Sequence, residues 1–183
     1  MNREQALNLV KSKIQNQNLI KHCLAVEACM QALAQYFDED QEKWGLTGLL
    51  HDIDYEETKN SPEKHSIIGA EMLEKMGLDK EITEAIKTHN EIHGIEPETK
   101  MAKALFSVDP LTGLIVAATL VMPDKKISNL TVKNILNRFK VKSFARGANR
   151  EIIKKCEDIG LDLKEFIDIC LRAMQGISRE IGL

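Results

Sequence analysis

The sequence predicts an all-α fold, a helical bundle, on three observations. Apolar residues recur at three- and four-residue spacing along almost the whole chain, the period of a helix with one buried face. No segment sustains the period-two alternation of a strand. Residues suited to helix ends fall between the periodic segments.

Taken in order, helices are expected near 3–15, where charged and apolar residues interleave, and near 18–37, which carries His22 ahead of the apolar run from Cys23. The next, near 40–53, ends in Gly48-Leu49-Leu50 followed by His51-Asp52. Ser61-Pro62 sets a cap residue before a proline at the first helical position, which opens a helix over 62–76 that stops at Gly77. Asp79 introduces 80–90, with His89 near its end. Pro110 follows Asp109 directly, so the stretch 99–122 is expected to kink or break into 99–108 and 110–122. Helices near 131–140, 149–159 and 163–178 complete the chain, with Gly160 and Asp162 at the last boundary.

The polar stretch from Pro123 to Asn129 is the one seam. It divides a body, 1–122, from a helical extension, 123–183, too small to bury its own apolar face and expected to pack on the body.

Hydrophobic residues at 43% and charged residues at 29% supply a core of ordinary size. A net charge of −3 and only 4% aromatics argue against a nucleic acid polymer as partner and against base-stacking platforms; a small phosphorylated molecule suits the composition better. Cys23, Cys29, Cys156 and Cys170 form no C-x-x-C and read as buried thiols of a reducing compartment. The N-terminus lacks the apolar block of a signal peptide, and the apolar run Leu111–Met122 is too short to span a bilayer. No membrane partner and a cytoplasmic location are expected; the oligomeric state is left open.

The stretch "GLLHDIDYEETKNSPEKHS", 48–66, aims a histidine and a carboxylate out of the end of an apolar segment. With His22, His89 and Asp109 they form an ordered series on successive helices. Alone, a His-Asp pair is a weak motif, and a single helical histidine usually has a structural role; the ordered combination is stronger than its members. A buried aspartate is costly without a partner, and histidine with carboxylate suits Zn, Mn, Fe, Co or Ni. His89 and His93 stand four apart, but asparagine fills position 90 where a protease of the H-E-x-x-H type has its glutamate. His93, followed by Gly94, is expected to cap a helix C-terminus.

The series His22…His51-Asp52…His65…His89…Asp109 resembles the HD-domain superfamily of metal-dependent phosphohydrolases, over residues about 18–122. The phrases "LLHDIDYE", "KHSIIGAEML", "AIKTH" and "SVDPLTG", and the C-terminal "KSFARGANRE", are similar to a bacterial group of that superfamily. The resemblance implies an HD-domain helical bundle. It implies a divalent ion (Fe, Mn, Zn, Co, Ni or Mg) on His22, His51, Asp52 and Asp109, and a second on His65 and His89 bridged by Asp52. It implies hydrolysis of a small phosphate ester such as a nucleotide. Many relatives place a lysine shortly after the His-Asp pair to touch phosphate; here Asp54 and Tyr55 stand there. The missing cation is sought in Arg146 first, then Lys142 and Arg150. Asp52 and Asp54 are the catalytic candidates, Asp54 orienting a ligand or moving a proton, and Tyr55 and Glu56 are candidates for the pocket wall. An HD-fold di-iron oxygenase and a non-catalytic nucleotide-binding regulatory domain are the alternatives.

Overall fold

A computed structural model describes all residues, 1–183. It contains helices and turns and no strand, an all-α bundle. The chain opens with α1 (Arg3–Lys13), whose cap Asn2 and residue Gln5 hydrogen-bond each other's backbone. Then follow α2 (Gln17–Phe37), α3 (Gln41–Leu50), the single turn α4 (Tyr55–Thr58), α5 (Ile67–Lys75), α6 (Lys80–Thr88) and α7 (Lys100–Leu120). The C-terminal part holds α8 (Val132–Phe139), α9 (Arg150–Lys154), α10 (Leu163–Gly176) and α11 (Ser178–Ile181). The expected caps do their work: Asp79 accepts from Glu81 N–H and Asp162 from Glu165 N–H, each at 2.8 Å.

Two expectations are corrected. The first concerns Pro110, which does not break the helix: α7 runs through it without interruption. Proline removes one hydrogen bond and crowds the carbonyl four residues back, a cost of about 3 kcal/mol. Leu105, Val108, Leu111 and Leu114 on either side are all fully buried, and burying a side chain of that size contributes about 1.5–3 kcal/mol, so packing wins. The second concerns 62–66, which is a series of turns, and α5 starts only at Ile67. Ser66 sits at φ 72°, which no helix continues, and its hydroxyl donates to Lys87 O at 3.0 Å, pinning the turn to the end of α6.

α7 is the central helix. It is long and apolar enough to cross a membrane by length and composition, and 67% of its most apolar window is buried inside the fold. α2 packs against α3, α7 and α10, and one continuous apolar core includes Cys29, Met30 and Leu33 of α2 together with Phe166, Ile167 and Cys170 of α10. α2 and α3 approach closely at Gly48, where a Cβ would lie 2.9 Å from Glu27 N and Val26 O. All four cysteines are buried and free.

Candidate metal centre

Each candidate ligand stands where its element stops or turns. His51 caps the C-terminus of α3 and Asp52 follows in the turn. His89 caps α6, and His65 lies in the turn ahead of α5 rather than within a helix. His22 and Asp109 are the exceptions, on the inner faces of α2 and α7. The fold brings all six together.

The two oxygens of Asp52 face different partners. Oδ2 lies 3.4 Å from His51 Nε2 and 3.6 Å from His22 Nε2. Oδ1 lies 3.2 Å from His65 Nε2 and 3.5 Å from His89 Nε2. Asp109 Oδ1 joins the first group, 3.0 Å from His22 Nε2 and 3.7 Å from His51 Nε2. Ligand atoms of His22, His51 and Asp109, and of His51, Asp52 and His89, each lie within 4.8 Å of one another, close enough to share a cation.

The outer nitrogens show that this arrangement fits a metal. His51 Nδ1 meets Gly48 O at 2.8 Å, His89 Nδ1 meets Ile86 O at 2.6 Å, and His65 Nδ1 meets Asp54 Oδ1 at 2.8 Å. His22 Nδ1 meets Thr112 Oγ1 at 3.2 Å; that hydroxyl already donates to Asp109 O and so accepts from the ring. Every imidazole thus has an acceptor for its Nδ1–H, leaving the Nε2 lone pair directed inward. His22 Nε2 and His51 Nε2 stand 3.2 Å apart, too close for both to carry protons comfortably. Four inward lone pairs and two carboxylates call for positive charge.

Without ions, protons supply that charge. Burial opposes a charged His51, yet Asp52 and Asp109 outweigh it and hold its pKa well above the ordinary value. His65 is likewise disfavoured by burial but is pushed up to about 9 by Asp52 and Asp54. The same pairings hold Asp52 and Asp109 below the usual carboxylate range against the opposing effect of burial.

Of the remaining predicted residues, Asp54 stands where it orients a ligand, one of the two roles expected of it, and not where it could move a proton to a substrate. It is 2% exposed, and its oxygens are taken by His65 Nδ1 and by the Gly69 N–H at 2.7 Å. A Cβ on residue 69 would stand 3.1 Å from the Asp54 carboxyl carbon. Asp54 therefore orients His65 and does not reach the open cavity. That cavity, about 790 Å³, opens over Asp52, His22, His65 and Asp109. Tyr55 lines it, edge-on to His65 at 5.2 Å between ring centres. Glu56 lines it too, with its carboxylate accepting from Gln15 and Asn16 N–H.

The basic candidates do not line this cavity. Arg150 turns inward to donate to backbone carbonyls, Ala145 O at 2.7 Å among them, and so holds the loop before it. Lys142 and Arg146 point to solvent, because that staple fixes their loop with Gly147 rather than a cation toward the cavity. The one cationic side chain on the wall is Lys59, which sequence reasoning missed. It sits eight residues past His51 on a non-periodic turn, so no spacing marks it. His93 stands at a helix C-terminus as expected, ending the short 3-10 turn Glu91–His93 ahead of Gly94 at φ 61°; its Nε2 also reaches His65 O at 2.7 Å, where Asn90 donates too.

Ribonuclease Y of Lawsonia intracellularis is 32% identical over 139 residues, 74% of this chain and 26% of that protein. Ribonuclease Y of Desulforudis audaxviator is 29% identical over 174 residues, 90% of this chain and 32% of that protein. A tRNA (cytidine(56)-2'-O)-methyltransferase of Picrophilus torridus is 25% identical over 181 residues, 97% of this chain and 50% of that protein. The chain thus spans a quarter to a half of the length of these curated relatives. No solved structure matches it. The HD domain family matches residues 19–120, a span that includes all six converging side chains; the chain belongs to the HD-domain family.

Proposed function

We propose that the protein is a hydrolase of phosphate esters that works with two divalent ions. His22, His51, Asp109 and Asp52 Oδ2 would hold one; His65, His89 and Asp52 Oδ1 the other. The observation that carries this reading is the division of the Asp52 oxygens between two sets of imidazoles. Bound ions of this kind polarise a phosphoryl oxygen and lower the pKa of water to about 7.

The chain's own residues supply position and charge. Asp52 and Asp109 fix the cluster, and Asp54 aligns His65. Lys59 takes the phosphate-binding role sought in Arg146, Lys142 and Arg150, as the ammonium on the wall of the cavity over the cluster. Tyr55 closes the wall beside His65. The cavity accommodates a nucleotide-sized phosphate ester, and the ribonuclease relatives are named for the same class of bond cleavage.

The test is a panel of phosphomonoesters and phosphodiesters incubated with metal-reconstituted protein, with metal content measured on the same sample. Turnover that vanishes on chelation and returns with metal supports the reading. Two bound ions with no turnover, but oxygen uptake with an organic substrate, would replace it with the oxygenase alternative. Lys59→Ala should raise KM at least tenfold, a loss of about 1.4 kcal/mol or more of binding, with metal content unchanged.

A further inference from the structure

The chain carries its charge unevenly. Lys125, Lys126, Lys133, Arg138, Lys140, Lys142 and Arg146 fall within 22 residues that contain no acid. The rest of the chain holds the other 18 cations against all 28 acids. All seven side chains are exposed, and none takes part in an ion pair; of the other 18 cations six do, Arg3, Lys43, Lys100, Lys154, Lys155 and Arg172. A solvated segment on a protein of this composition would mix its signs; this one does not.

The segment is also built and placed. Ile135, Phe139 and Ala148 anchor it in the core, and the Arg150 guanidinium gathers the carbonyls of the 141–148 loop. Arg146 is followed by Gly147, which lines the cavity over the ligand cluster and the smaller hollow, about 170 Å³, beside His89. The C-terminal end of the basic segment therefore lies beside the mouth of the candidate site. On the wall of the same cavity Tyr55 is 46% exposed and offers a ring to a base.

We infer that residues 125–146 hold the phosphate backbone of a single-stranded polynucleotide and lead it to the cavity, so that the ester attacked there belongs to an oligonucleotide. This rests on the phosphohydrolase reading. Single strands fit because the ligand cluster lies in a recess. With one aromatic side chain at the mouth, binding would follow the backbone and be tolerant of sequence.

The experiment measures binding of a fluorescent 12-mer of 2'-O-methyl uridine phosphorothioate, a hydrolysis-resistant polyanion, to the full-length metal-loaded protein by anisotropy. Each neutralised phosphate on a single strand contributes a slope of about −0.7 in log K against log salt, so about five contacts give about a hundredfold loss between 50 and 200 mM salt. Lys140→Glu/Lys142→Glu/Arg146→Glu should weaken binding at least tenfold, with metal content and circular dichroism unchanged. The milder Lys133→Gln/Lys142→Gln should weaken it severalfold if the triple variant folds poorly. No binding at 50 mM salt, binding indifferent to salt and to both variants, or binding of phosphatidylserine vesicles in place of the 12-mer would overturn the inference. Hydrolysis of small esters without 12-mer binding sinks this inference and spares the phosphohydrolase reading. Binding of the 12-mer without hydrolysis of any ester or of an unmodified strand does the reverse for the surface itself.

Discussion

Asp54 and His93 are two residues whose chemistry is spent on His65. Asp54 holds the ring through Nδ1, and His93, with Asn90, holds the carbonyl of the turn that presents it. Loss of such an outer partner typically lowers metal affinity 10–100-fold. Asp54→Asn is expected to fold and to weaken one of the two ions by that amount in a metal titration. The proton on His65 has a defined sign. In the metal-free protein its pKa is raised from 6.5 to about 9, so its contribution to stability is complete below about 6.5 and is lost as pH rises through 9. Metal competes for the same Nε2 and must expel that proton. Binding should therefore tighten from pH 6 to 9, and calorimetry at pH 7.5 in buffers of different ionisation heat should show at least one proton released; no release would contradict the account. The six candidate ligands were legible because their order along the chain survives without coordinates. Asp54 was legible as a candidate to orient a ligand, but its partner was not, since eleven residues and a turn separate it from the ring it serves; Lys59 was not legible, since a turn has no period.

Helix positions followed from apolar spacing and caps, and most ends came within a few residues. The errors arose where a contact from elsewhere overrode a local signal. Ser61-Pro62 is a good helix opening in isolation, but the Ser66–Lys87 contact and the positive φ of Ser66 delay the helix to Ile67. Pro110 is a good break in isolation, but the burial around it keeps α7 whole. The α2–α3 pair shows the reverse case, a local residue chosen for a distant one. A Cβ on residue 48 would meet backbone of α2 at 2.9 Å, which cannot swing aside as a side chain can. Gly48→Ala is expected to lower stability by about 1–3 kcal/mol, read by denaturant unfolding. It should also weaken metal binding, because Gly48 O is the acceptor that orients His51.

At the scale of the molecule, the seam at 123–129 is a change of surface rather than of core. Phe166, Ile167, Cys170, Leu171 and Met174 of α10 are buried in the same cluster as α2 and α7. At about 1.5–3 kcal/mol for each large apolar side chain, their removal would cost as much as the about 5–15 kcal/mol that stabilises a typical domain. A chain ending at Met122 should show no cooperative unfolding transition; a sharp one would mean the body stands alone. Net charge is the property that the sequence total hides most, since −3 averages a basic segment with an acidic remainder. The claim on which the rest depends is that one carboxylate, Asp52, serves two cations. Anomalous scattering from crystals grown with manganese tests it most directly. The account predicts two peaks, one beside Asp52 Oδ2 among His22, His51 and Asp109, the other beside Oδ1 between His65 and His89. A single peak, or peaks that leave Asp52 without contact, would contradict it.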